Sequence, residues 1–165
     1  AASDVYKRQI KPLRKFGANF TSNFGKLPIK IKGTNNPKPI IYNETKGSAQ
    51  VKSSVMLAAL NTDGETIIKA KKSRNHTEII FRNLKIPIKV VNQKEYDLIE
   101  VDGPANFNGF KYKVPGDISS CSFFLVLNIL SKESQIKIRD ININQTRTGI
   151  IKILNKIFKG FFHRN

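Results

Sequence analysis

Gly47-Ser-Ala-Gln-Val-Lys-Ser-Ser-Val-Met-Leu-Ala-Ala-Leu-Asn-Thr-Asp-Gly64 is a largely apolar stretch with a polar tip, bounded at both ends by glycine. Its body predicts a buried helix over Ala49–Leu60, begun at Gly47-Ser48 and stopped near Asp63-Gly64. A helix made only to be buried has no need of Ser48 and Gln50 in its first turn. A helix N-terminus leaves about four backbone N–H groups unpaired and carries roughly half a positive charge. A preceding glycine permits close approach, and a hydroxyl and an amide add two movable hydrogen-bonding groups. Such a tip suits a phosphate or a carboxylate.

On either side of this stretch, helix and strand signals alternate. Leu27–Lys32 and Pro39–Asn43 read as extended runs, and Glu65–Ala70 as a strand. Asn75-His-Thr-Glu78 has the spacing of a capping box and predicts a helix through Leu84. Ile86–Val91 and Asp97–Val101 are the next strands. Beyond Phe110-Lys-Tyr-Lys-Val-Pro115 the order recurs. Gly116-Asp-Ile-Ser-Ser opens an apolar helix to Leu130, and Gln135–Arg139 reads as a strand. Thr146-Arg-Thr-Gly149 opens a further helix, with Ile150, Ile151, Leu154, Ile157 and Phe158 at helical spacing. Gly47 lies over Gly116, Ile67 over Ile136 and Ile79-Ile80 over Ile150-Ile151, a shift of about 70 residues each time. This is a duplicated helix–strand–helix–strand unit whose second copy breaks off at Asn165, and the chain reads as truncated.

The chain has 165 residues, 39% of them hydrophobic, enough for a real core. Its 29 basic residues against 12 acidic ones give a net charge of +17. That balance raises nucleic acid, an anionic membrane or a phosphorylated ligand as partner. Lysine, isoleucine and asparagine are all abundant and share A/T-rich codons, so a biased genome accounts for much of the charge. Many lysines also alternate with apolar residues, as in Ile29-Lys30-Ile31-Lys32, Phe110-Lys111-Tyr112-Lys113 and Ile136-Lys137-Ile138-Arg139. That alternation is the solvated face of a sheet. A basic, non-enzymatic nucleic-acid-binding module stays as the alternative. Asn108-Gly-Phe-Lys-Tyr-Lys-Val114 only faintly echoes an RNA-binding strand, without its far aromatic and intervening small residue.

Cys121 is the only cysteine, which excludes an intramolecular disulfide and a multi-thiolate metal site. It reads as a small core residue. The longest apolar run, Phe123–Leu130, is far shorter than the ~20 residues of a membrane span. His76 and His163 show no metal-ligand spacing, and no metal or cofactor is expected. No nucleophile elbow or P-loop occurs. What remains is anion binding, with Arg74 in Ser73-Arg-Asn-His-Thr-Glu78 as a second candidate, since guanidinium matches phosphate geometry. On local pattern alone the plainer readings come first, with Ser48 capping its helix and Arg74 solvated.

The motifs taken in series alter that balance. Gly47-Ser-Ala-Gln-Val-Lys-Ser, Ala58-Ala-Leu60, Gly64-Glu-Thr, Ser73-Arg-Asn-His-Thr-Glu78, Val114-Pro-Gly-Asp-Ile-Ser-Ser120, Phe123-Phe-Leu-Val126 and Thr146-Arg-Thr-Gly-Ile150 occur in this order. The series resembles the 5-enolpyruvylshikimate-3-phosphate synthase family from about Ile10 to the C-terminus. UDP-N-acetylglucosamine enolpyruvyl transferases share that fold, but Ser-Ala-Gln-Val-Lys-Ser points to the shikimate branch.

The resemblance implies an α/β (α+β) fold of repeated βαβαββ units in two partial domains. Residues 10–112 would be the later part of an N-terminal globular domain and 113–165 the beginning of a C-terminal one. The Gly47 and Gly116 helices would both point their N-termini at the cleft between domains. The implied reaction moves the enolpyruvyl group of phosphoenolpyruvate to the 5-hydroxyl of shikimate 3-phosphate, without cofactor or metal. The implied partners are these two substrates, with no nucleic acid and no membrane, in a monomeric, cytoplasmic enzyme. Carried over, Ser48 would hold the shikimate phosphate, Gln50 would reach toward the substrates and Arg74 would join the phosphate pocket. Ala49 stands where other members carry serine, and Asn75 where some carry aspartate. Ala1–Gln9 departs from the family and reads as a non-native leader. The family's acidic catalytic residues would lie outside Ile10–Asn165, so no catalytic residue is assigned here and the chain alone is expected to be inactive.

Overall fold

The computed structural model describes residues 2–131 and 133–158, so His163 lies outside the described residues. The chain divides into two compact units, Ala1–Gly109 and Phe110–Asn165.

The first unit is built around a four-stranded sheet. Its elements in chain order are α1 (Ala2–Lys15), β1 (Asn19–Asn23), β2 (Lys26–Lys32), β3 (Ile41–Glu44), α2 (Ala49–Ala59), β4 (Gly64–Lys71), α3 (His76–Asn83), β5 (Ile88–Asn92) and β6 (Tyr96–Gly103). The sheet order is β3-β4-β6-β5, while β1 and β2 form a separate antiparallel hairpin. β3 runs parallel to β4, and β6 is antiparallel to both β4 and β5. From β3 to β6 this is one βαβαββ unit, as the family resemblance implied.

The period-two pattern of β4 and β6 explains where the core sits. Thr66, Ile68 and Ala70 of β4 face inward opposite Val101, Ile99 and Asp97 of β6. Val55, Met56 and Ala59 of α2 and Phe81 of α3 close over that face with Phe16, Ile40 and Ile86. Glu65, Lys69 and Lys71 alternate outward to solvent.

α1 and β1 were not expected. α1 passes through Ile10 without a break and carries a buried Pro12, which removes one backbone donor inside a helix. β1 is the polar run Asn-Phe-Thr-Ser-Asn, a strand because it pairs with β2. The hairpin turns through Phe24 (φ 48°) and Gly25 (φ 69°), the positive-φ pair that two-residue hairpin turns demand. Phe24 is 95% exposed, so its ring gains nothing from the position. Phe24→Asn is expected to raise stability by about 1 kcal/mol, read as a higher urea midpoint, because asparagine tolerates this conformation.

The second unit contains α4 (Ile118–Leu130) and α5 (Gly149–Ile157). Both helices start where the repeat predicted. Gln135–Arg139 and Phe110–Lys113 do not form strands. Among the described residues the pairing here is the parallel bridge Gly116↔Ile141, with Gly116 N–H donating to Asp140 O (2.7 Å) and Asn142 N–H to Gly116 O (2.9 Å). Alternation in sequence describes two faces, but a strand also needs a neighbour to take its backbone bonds. Ile118, Cys121 and Leu154 are buried, whereas Phe123, Phe124, Leu127 and Leu130 remain exposed.

The N-terminus of α4 is closed by its own charges. Arg147 Nη2 donates to Asp117 Oδ1 (2.6 Å) and to Ser119 Oγ (2.5 Å). The Ser119 backbone N–H, and then Arg147 against some desolvation, hold the Asp117 carboxyl below its ordinary range. A depressed folded value means that this group adds stability above the unfolded carboxylate range and loses it as pH falls through the folded value. The stability gap between the wild-type chain and Asp117→Asn is therefore expected to shrink on acidification below about pH 4. Denaturant midpoints taken from pH 7 to pH 2 measure this.

Candidate functional site

Because β3 and β4 are parallel, the loops leaving their C-terminal ends emerge at the same sheet edge. The loop after β3 leads to the N-terminus of α2, and the loop after β4 to the N-terminus of α3. The topology thereby brings Gly47–Gln50 beside Ser73–Thr77, segments far apart in the chain.

The α2 tip is clamped from below. Glu44, buried at the end of β3, accepts from the backbone N–H of Lys46 (2.9 Å) and of Gly47 (2.8 Å). Gly47 turns the chain at φ 69°, and a Cβ there would lie 3.2 Å from the Lys72 carbonyl oxygen. Gly47→Ala is expected to cost about 1–2 kcal/mol in denaturant titrations through its left-handed backbone alone. The same change also requires the Lys72 carbonyl to give way by a few tenths of an ångström.

Ser48 is the N-cap of α2, its Oγ accepting from Val51 N–H at 3.4 Å. A hydroxyl that accepts in this way keeps its own proton to donate, so capping and holding a ligand oxygen are compatible. The first turn of α2 contains no acidic residue of its own, and the nearby Glu44 carboxylate is taken up by the Lys46 and Gly47 N–H groups ahead of the cap.

A cleft of about 370 Å³ opens beside this tip, lined by Ala49, Gln50, Ser53 and Leu57 of α2 and by Arg74, His76 and Thr77 of the facing loop and helix. Of the sequence-predicted residues, Ala49, Gln50 and Arg74 line the cleft, whereas Ser48 caps α2, is buried, and is not among the lining residues. Gln9 of α1 also lines it, and its amide donates to the Gln50 carbonyl at 3.4 Å.

Two links tie the walls together. Ser53 Oγ and Thr77 Oγ1 share a 2.6 Å hydrogen bond. Beneath it, Lys52 is completely buried, its ammonium 2.5 Å from Glu78 Oε1 and donating to the Arg74 carbonyl at 2.8 Å. Neither residue was expected in the site. Asn75 does start α3, but its side chain makes no capping bond, and Glu78 turns to Lys52 rather than completing a capping box. The available signal was a lysine on the same helix stripe as Val55, Met56 and Ala59, a position that calls for a carboxylate. Among the described residues no group of three or more His, Cys, Asp or Glu side chains could hold a metal ion. No described helix is long and apolar enough to cross a membrane.

A βαβαββ unit that brings the first turn of a helix and an arginine to one cleft defines an α/β (α+β) protein with a candidate site at the ends of its parallel strands. Comparison with known proteins makes that class specific. The model of the EPSP synthase (3-phosphoshikimate 1-carboxyvinyltransferase) family matches residues 6–161, and the chain belongs to this family. The 3-phosphoshikimate 1-carboxyvinyltransferase of Thermotoga sp. strain RQ2 is 43% identical over 150 residues, 90% of this chain and 34% of the relative. That of Caldicellulosiruptor saccharolyticus is 42% identical over 154 residues, 92% of this chain and 35% of the relative. The solved EPSP synthase from Acinetobacter baumannii superimposes with a TM-score of 0.74 at 35% identity, covering 91% of this chain and 34% of that one. The chain thus spans about a third of the length of the curated relatives it matches.

Proposed function

We propose that the cleft between the α2 tip and Arg74 receives the phosphate of shikimate 3-phosphate. The whole protein would transfer the enolpyruvyl group of phosphoenolpyruvate to the 5-hydroxyl of that substrate, by addition to a tetrahedral intermediate and elimination of phosphate. The observation that carries this reading is the convergence of Ala49, Gln50 and Arg74 on one cleft in a chain of this family. Backbone N–H groups of the first turn and the Ser48 hydroxyl supply neutral donors. Gln50 offers a movable amide, and Arg74 supplies the counter-charge. Ala49 brings no hydroxyl, so its contribution is its backbone.

Residues 10–112 would then belong to an N-terminal globular domain and 113–165 to the opening of a second one. The enzyme would be monomeric and cytoplasmic, with phosphoenolpyruvate as its other partner. No general acid or base is assigned within this chain, which by itself is expected to bind shikimate 3-phosphate without turnover.

Calorimetric titration with shikimate 3-phosphate tests the reading, alongside a phosphate-release assay with both substrates. The expected result is saturable binding and no phosphate release. Absence of binding would remove the site assignment, and turnover by the chain alone would remove the assignment of catalytic groups elsewhere. The nucleic-acid alternative predicts binding to duplex DNA that falls steeply with salt and ignores Ser48→Ala and Arg74→Ala. Family membership lends that alternative no support.

A further inference from the structure

We propose that Lys52 and Glu78 are positioning residues, whose buried ion pair sets where Arg74 stands in the cleft. This inference rests on the phosphate-site reading above. Lys52 reaches Arg74 through the backbone: its ammonium donates to the Arg74 carbonyl (2.8 Å) while paired with Glu78 Oε1 (2.5 Å). One cation therefore fixes the turn before α3 to the body of α2, directly beneath the residue that faces the ligand. The neighbouring Ser53–Thr77 bond joins the same two elements and leaves the turn itself, at Arg74, to Lys52.

Stability does not explain the pair. Burying two charges is costly, and apolar residues of similar volume hold a core as well or better. The accounting here is incomplete even for the carboxylate, because Glu78 Oε2 is buried with no hydrogen-bond partner. What the pair does that two apolar side chains would not is grip the Arg74 carbonyl.

The test uses the full 165-residue chain, its double variant Lys52→Met/Glu78→Leu, and shikimate 3-phosphate as probe. The double variant replaces the charges with apolar volume, and its urea midpoint is expected to stay at or above that of the parent. Affinity for shikimate 3-phosphate is expected to fall about tenfold or more, the loss appropriate to a misplaced charged hydrogen-bond donor. The Arg74 Nε–H resonance of the free protein is expected to collapse toward its random-coil position. Parent-like affinity together with an unmoved Arg74 resonance in a folded double variant would overturn the proposal. If the parent chain does not bind the probe, the phosphate-site reading fails, and the resonance alone decides whether the pair positions Arg74. If the double variant does not fold, the same readouts are taken on Glu78→Gln, which keeps an acceptor for the ammonium. A loss of about threefold or more is expected there, and an unchanged affinity and resonance would overturn the proposal.

Discussion

Gly103→Ala is expected to be the most damaging single-methyl change in the first unit, lowering stability by about 3 kcal/mol or more. Gly103 ends β6 and pairs with Gly64 at the start of β4. A Cβ on it would lie 2.1 Å from the Ala59 carbonyl oxygen and 2.4 Å from that of Thr62. These are backbone atoms at the C-terminus of α2, and the Ala59 carbonyl is already held by Thr62 N–H at 3.1 Å. No rotamer change makes room, so α2 must lift from the sheet, and the packing of Val55, Met56 and Ala59 goes with it. The urea midpoint should fall sharply with little change in slope. Gly109→Ala is the matched control, since nothing lies within 4 Å of a Cβ there. A Gly103 variant as stable as that control would mean that α2 does not sit on β6 as described.

Arg74→Ala is expected to weaken shikimate 3-phosphate binding about 10- to 100-fold, because charge-assisted hydrogen bonds to an anion are the strong ones. The fold should survive, since it is the carbonyl of Arg74, not its guanidinium, that accepts from Lys52. Arg74→Lys should recover only part of the affinity: an ammonium supplies a point charge but not the planar fork. Calorimetric titrations at fixed ionic strength measure both, and loss of affinity without loss of the urea midpoint separates a ligand contact from a structural defect. Equal affinity in all three proteins would remove Arg74 from the site.

The unit from β3 to β6 was legible because local signals agreed there. Gly47 and Asp63-Gly64 punctuate α2, and β4 alternates as a half-buried strand should. α1 was hidden by Pro12, and β1 by a polar composition that becomes a strand only through its partner. Gln135–Arg139 failed in the opposite sense, its Ile/Lys alternation suiting a strand while, among the described residues of the second unit, the pairing is the bridge between Gly116 and Ile141. The cleft was largely readable from the tip of α2 and the Ser73–Glu78 motif, two segments that β3–β4 pairing brings together. The Lys52–Glu78 pair was not, because Glu78 also satisfies the spacing of a capping box, and spacing alone does not say which way a carboxylate turns.

The central claim is that the α2 tip and Arg74 form one phosphate-binding site. Amide shift mapping of the ¹⁵N-labelled chain during titration with shikimate 3-phosphate tests it most directly. The account predicts saturable shifts centred on Ser48, Ala49, Gln50 and Arg74, with a single affinity common to all four residues. Shifts spread over the exposed lysines of β2 and β4, or none at the α2 tip, would contradict it.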